Sequence, residues 1–308
     1  MLTGLLLILL PLILGYLIPV RNARALASIN RGVNLSVYAI LGLMGVSLTG
    51  LEDLGGQLAR MGGQAALLFA VITPINLAAL GWLSRRSHLH VGGSKVVKGA
   101  PTSKLAAMLG SLALAGVVVL GVLAGLAFGA LGWNDAPALA EQLAEWVLYA
   151  LLGLIGCQLR NSGMPLRQIL LNRHGLAIAT TVALSSLAAG LLAAPLLGLR
   201  WNEGLAMAAG FGWYSLSGIL IGDQLGPVLG GVAFFNDLAR ELLAFLLIPL
   251  VIHRATPLAI GYGGATSMDF TLPVIQQHGG VACVPIAVVS GFILSLLSPP
   301  LILFLLSL

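Results

Sequence analysis

Residues 230–252 form an apolar run long enough to cross a lipid bilayer, yet Asn236, Asp237, Arg240 and Glu241 fall near its middle. Ionisable groups at that depth cost about 2.5–3.5 kcal/mol each on insertion scales, and they persist where they face a protein interior or a wet cavity. Asp237 and Glu241 are four residues apart and Asp237 and Arg240 three, so one helical face carries all three. Two readings follow. Either this face is a transport site, or Asp237 and Arg240 form an ion pair that only holds a helix bundle together. Just upstream, Gly210-Phe211-Gly212-Trp213-Tyr214-Ser215-Leu216-Ser217-Gly218 is too rich in Gly and Ser for a plain apolar helix. Interrupted backbone at membrane depth is tolerated only where it is buried in protein or lines a cavity.

The remaining chain fits a membrane setting. Of 308 residues, 58% are hydrophobic and 8% charged, against about 25% charged in a soluble domain. Apolar runs near the length of a spanning helix recur, and the alternation of an outer-membrane barrel is absent. The expected class is an all-α integral membrane protein. The formal charge of +5 is no nucleic-acid footprint, because the basic residues lie in short loops between spans. Cys157 and Cys283 fall in apolar stretches and read as small buried hydrophobes without a disulfide.

Enzyme signals fail on spacing. Gly92-Gly93-Ser94-Lys95 lacks the phosphate-cradling pattern of a Walker loop. The five histidines show no zinc spacing, and Ser215 and Ser217 have no evident His–Asp partners. No enzyme activity, metal or cofactor is expected.

Spans are expected near 2–20, 33–51, 62–83, 105–131, 143–159, 175–199, 230–252 and 281–308. The first reads as a retained helix, since a cleaved signal would carry its positive charge ahead of the apolar run. Thr73-Pro74-Ile75-Asn76 is expected to interrupt the third. Segments 204–226 and 257–278 are broken, the second by Gly261-Tyr262-Gly263-Gly264-Ala265-Thr266-Ser267-Met268-Asp269. If both broken segments are re-entrant and the N-terminus lies outside, 12 of the 15 basic residues fall in cytoplasmic segments, as Lys and Arg do in such loops. This favours about eight transmembrane helices plus two broken or re-entrant helical hairpins, one from each side, with both termini outside. Ten spans with discontinuous helices is the alternative.

Internal repetition sets the domain plan. Tyr38–Leu48 matches Tyr149–Leu159 at an offset of 111 residues. Residues 1–83 then form a first three-helix repeat, 84–104 a cytoplasmic loop, and 105–200 a second repeat. Three spans are an odd number, so the second copy is inverted. Residues 201–308 hold two units, each a broken hairpin plus a helix. Inverted repeats with interrupted helices at the midplane mark secondary transporters.

The broken segments suggest a ligand. Half-helix N-termini present amides suited to a carboxylate, and Ser215, Ser217, Thr266 and Ser267 add hydroxyls. Asp237, Glu241 and Asp269, with Asn236 beside them, suit an ammonium group or a mobile proton. A zwitterion with an extra positive charge matches this set. The plainer reading of the hydroxyls is close packing between helices. Glu52 and Asp53 follow the second span, where solvated loop acids and a role in proton access are both open.

Three stretches carry a family resemblance: Gly210–Gly218, Ala233-Phe234-Phe235-Asn236-Asp237-Leu238-Ala239-Arg240-Glu241, and Gly264-Ala265-Thr266-Ser267-Met268-Asp269-Phe270-Thr271-Leu272-Pro273. They closely resemble the bacterial L-lysine exporter family of the LysO type, and the likeness runs from the first span to the C-terminus. The resemblance implies an inner-membrane exporter of L-lysine and its toxic analogues. It also implies functional intramembrane acids at Glu241 and at the acid after the second span, which matches Glu52 better than Asp53. The expectation is a secondary active transporter exporting L-lysine, with proton antiport through Glu241 and Glu52. The expected partners are lysine, protons and the lipid bilayer, with a homo-oligomer open and no nucleic acid. A cation/proton antiporter and an exporter of another cationic amino acid are the alternatives. A membrane scaffold leaves the intramembrane acids without a purpose.

Overall fold

The computed structural model describes residues 10–11, 13–20, 22–50, 53–87, 104–161 and 172–308. Among the described residues the regular structure is helical, with no strand. Helix α1 (Ala23–Leu48) begins where the Asn22 side chain accepts a hydrogen bond from the Arg24 amide. Helix α2 (Leu54–Arg86) begins at Asp53, whose carboxylate accepts from the Gly56 amide. Arg85 and Arg86 complement the negative end of its dipole. Helices α3 (Lys104–Ala130), α4 (Ala136–Arg160) and α5 (Arg173–Leu197) follow. Asn172 caps α5 by accepting from Gly175, and Gly198 closes it at a φ of 69°.

The C-terminal part is more broken. Two short helices, α6 (Trp201–Ala208) and α7 (Tyr214–Leu225), precede the charged helix α8 (Pro227–Val251). Helix α9 (Thr256–Gly263) leads through a 3₁₀ turn (Gly264–Met268) into α10 (Leu272–Gly279), and α11 (Val284–Leu306) closes the chain.

Five described helices, α1, α2, α4, α5 and α11, are long and apolar enough to cross a membrane. Many large apolar side chains stay outside the core, including Leu131 at 82%, Leu250 at 77% and Trp146 at 72% exposure. Such a surface is stable against lipid. The chain is a multi-pass α-helical membrane protein.

Glycine contacts show which helices pack closely. In a first body α1 packs on α3 and α4: a Cβ on Gly45 would meet the Gly121 Cα at 2.9 Å, and one on Gly32 would meet Leu154 at 3.1 Å. In a second body α2 packs on α5, where Asn76 accepts from Ser185 at 2.7 Å and donates to Ser186 at 3.1 Å. There α7 also packs on α8, the two backbones touching at Gly218, Gly222 and Gly230.

Contacts between chain ends fix the course of the broken segments. At the Arg86 end of α2, the Leu258 amide donates to Ser84 Oγ at 3.1 Å and Asn172 Nδ2 to the Pro285 carbonyl at 3.2 Å. Gly279 packs on Ile252 at the same end. At the Leu54 end, Gly231 packs on Met61, and Asn202 Nδ2 donates to the Leu305 carbonyl at 3.1 Å. The pair α6–α7 thus starts and finishes at the Leu54 end, and the pair α9–α10 at the Arg86 end. Each pair turns back in the middle of the bundle.

Several boundaries differ from the sequence expectation. α1 begins at Ala23 and α4 at Ala136, well before the expected 33 and 143. The added stretches and the residues just after them carry Arg24, Arg31, Glu141 and Glu145, which are exposed and fall outside an apolar window yet continue the helix. α2 runs unbroken through Pro74 rather than being interrupted there. Most of the expected first span and of the 84–104 loop lies outside the described residues.

Candidate substrate site

The first turn-back positions α8's charges. Phe211 and Gly212 take φ angles of 53° and 89°, a conformation glycine adopts freely and phenylalanine does not. This turn points the Gly212 amide at α8, where it donates to Asp237 Oδ1 at 3.3 Å. Ser217 Oγ donates to Asp237 Oδ2 at 2.7 Å, and Asn236 Nδ2 to Oδ1 at 3.1 Å. Arg240 Nη1 completes the shell at 3.5 Å. Asp237 and Arg240 are each 1% exposed. Any side chain at Gly210 would overlap the Asp237 carboxylate, which accounts for glycine there.

The second turn-back is held by its own hydroxyls. Thr266 Oγ1 donates to the Gly263 carbonyl at 2.8 Å. Ser267 Oγ lies 2.8 Å from the Gly264 carbonyl and 2.9 Å from that of Ala287. Gly291 lets α11 approach the backbone of Ala265 and Met268. The two turns meet, and the Ala265 amide donates to the Phe211 carbonyl at 3.0 Å.

Two cavities flank this crossing along one seam, between α1 and α4 on one side and α7 on the other. The cavity toward the Arg86 end measures about 250 Å³. Asn34, Gln158, Trp213, Ser215, Asp269 and Phe270 line it, and the side chains of Asp269 and Phe270 are exposed into it. The first amides of α7 lie at its wall, where a helix leaves its N–H groups without intrahelical acceptors. The cavity toward the Leu54 end measures about 330 Å³ and is lined by Ser47, Glu141, Glu145 and Asp223 among others. At its wall the Tyr149 hydroxyl donates to Glu145 Oε1 at 2.5 Å. Between the cavities, Ile40, Leu148, Leu151, Leu216 and Ile219 are all at most 3% exposed.

The structure therefore gathers Ser217, Asn236 and Asp237 into one buried cluster and brings Ser215 together with Asp269 in the cleft. Glu241 is buried at 2% exposure, one residue beyond Arg240 on α8. Thr266 and Ser267 engage backbone carbonyls with their hydroxyls. Glu52 lies outside the described residues. Sequence reasoning passed over Glu141, Glu145 and Asp223. Their signal was three acids near helix ends with no basic residue beside them. Among the described residues, no group of three or more His, Cys, Asp or Glu is placed to hold a metal ion.

Comparison with known proteins decides the family. The family model described as lysine exporter LysO matches residues 117–306. The lysine exporter LysO of Escherichia coli (strain K12) is 50% identical over 311 residues, covering 99% of each chain. This chain belongs to the LysO lysine exporter family. A second relative, from Haemophilus influenzae (strain ATCC 51907 / DSM 11121 / KW20 / Rd), is 45% identical over 159 residues, 52% of this chain and 82% of that one. No solved structure matches. The LysO family model covers α4 through α11 and about half of α3, and so includes both turn-backs.

Proposed function

We propose that the protein exports L-lysine, and analogues with the same head group and ammonium, from the cytoplasm by proton antiport. The observation that carries this reading is the buried acidic cluster at the crossing of two interrupted segments, with one cavity on either side of it. Alternating access needs a central site reachable from each face in turn, and discontinuous helices at mid-depth are how secondary transporters build one.

In this reading the Arg86 end faces the cytoplasm. The chain crosses the membrane eight times, with α6–α7 re-entering from outside and α9–α10 from inside, and both termini lie outside. Lysine first meets the cleft of Asp269 and Ser215, where Asp269 attracts an ammonium group. It passes the Asp237 cluster and leaves through the cavity of Glu141, Glu145 and Asp223. Glu241 and Glu52 carry the counter-moving proton. A carboxylate that trades its proton for a cationic substrate links lysine uptake to proton release.

Counterflow of labelled lysine in proteoliposomes tests this. Uptake should depend on trapped lysine, and net flux should follow an imposed pH gradient. Lysine counterflow that ignores the pH gradient would remove proton antiport. Absent counterflow would remove lysine as substrate.

A further inference from the structure

Among the described residues Arg240 is the largest fully buried side chain, at 1% exposure, and none of its three guanidinium nitrogens makes a hydrogen bond there. Its ion-pair contact is with Asp237 Oδ1, at 3.5 Å. That carboxylate is already served by Gly212, Ser217 and Asn236. A guanidinium has five donors in a planar fork that matches a carboxylate. Leaving such a fork buried with one long ion-pair contact and no hydrogen bond is unfavourable, and a buried group so poorly satisfied calls for an explanation.

The amides before α7 cannot supply a substrate's carboxylate site in full. Gly212, the residue turned toward α8, is already engaged by Asp237. The protein's own carboxylate thus stands where a free anion was expected. The remaining cationic donor in this cluster is Arg240.

A second atom is open on the same face. Asn236 is four residues before Arg240, 0% exposed, and its Oδ1 has no hydrogen-bond partner while its Nδ2 is held by Asp237. The spacing stacks the two side chains on one side of α8. An open fork of donors beside an open acceptor fits a group that is anionic at one end and an N–H donor at the other.

We propose that Arg240 and Asn236 form a clamp for the α-amino-acid head group, Arg240 binding the α-carboxylate and Asn236 Oδ1 accepting from the α-ammonium. This rests on the reading of lysine as substrate and adds how the α-carbon end is recognised. The acids then remain for the side-chain ammonium and the proton. A diamine that lacks the carboxylate leaves the fork empty and is rejected by the cost of a buried unpaired charge.

The test uses the full-length protein in proteoliposomes, with labelled lysine in counterflow and unlabelled lysine, lysinamide and cadaverine as competitors. Wild type should prefer lysine to both competitors by about tenfold or more, the factor for one charge-assisted bidentate contact. Arg240→Gln should raise the KM for lysine about tenfold and bring cadaverine to within about twofold of lysine. Arg240→Lys keeps the charge without the fork, so it should fold and fall between the two. If Arg240→Gln does not reach the membrane, Arg240→Lys decides the matter. Full wild-type discrimination in a folded Arg240 variant overturns the clamp, as does equal competition by lysinamide in wild type. Failure of wild type to carry lysine at all instead overturns the functional reading beneath it.

Discussion

The Ala265 amide donates a 3.0 Å hydrogen bond to the Phe211 carbonyl, joining the two interrupted segments at their turning points. Residues far apart in sequence thus share one buried backbone contact. Each break leaves peptide groups that no helix satisfies, and the two breaks partly satisfy each other. Local geometry at either break therefore affects both.

Gly264 shows this most sharply. It has a φ of 59°, and a Cβ there would overlap the Phe211 carbonyl. Gly264→Ala should cost about 1–3 kcal/mol from backbone conformation alone, with more from the overlap. Lysine export and the melting temperature should both fall. Gly63→Ala is the control, since no neighbouring atom lies within 4 Å of its added Cβ. A Gly264→Ala protein that melts with wild type would remove the contact as a structural tie.

Asp237 and Asp269 should respond differently to neutralisation. Asp237 is buried among four donors and neutralises Arg240. Asp237→Ala should destabilise the protein by about 3–5 kcal/mol, because a buried charge loses its partner. Asp269 faces the cleft and accepts from the neighbouring Phe270 amide. Asp269→Asn should leave stability within about 0.5 kcal/mol while raising the KM for cytoplasmic lysine. Thermal melts and transport measured on the same preparations separate the two outcomes.

Glu241→Gln preserves shape and hydrogen bonding but fixes the group as neutral. The variant is expected to fold and reach the membrane, yet to lose lysine export and lysine-driven proton movement together. Glu241→Asp should keep part of both. Wild-type export by Glu241→Gln under the same pH gradient would reduce Glu241 to a structural partner.

Orientation can be read by labelling. In a background without Cys157 and Cys283, a cysteine at Asp135, between α3 and α4, should react with an impermeant maleimide in intact cells. A cysteine at Ser87, after α2, should react only once the membrane is opened. The reverse pattern would invert the topology and exchange the roles of the two cavities.

Much of this arrangement was visible in the chain itself. The Gly/Ser stretches at 210–218 and 261–269 announced interrupted helices because glycine tolerates the backbone angles a break requires. The charges of α8 announced a polar interior because lipid does not accommodate them. What stayed hidden depended on three-dimensional placement. Thr266 and Ser267 were recognisable as hydroxyls, but only the course of the 3₁₀ turn puts backbone carbonyls within their reach. Glu141 and Glu145 fell just outside an apolar window, so their part in a cavity appears only when α4 is seen to begin at Ala136. That Asp237 is saturated and Arg240 is not could not be read from helical spacing, which treats the two alike.

The apolar layer between the cavities has an electrical consequence. Protons travel through proteins along water or polar side chains, and Ile40, Leu148, Leu151, Leu216 and Ile219 offer neither. Along the seam, these side chains give a proton no relay from one cavity to the other. An idle carrier of this kind does not drain the membrane potential, and each charge that crosses must do so as cargo on a moving part.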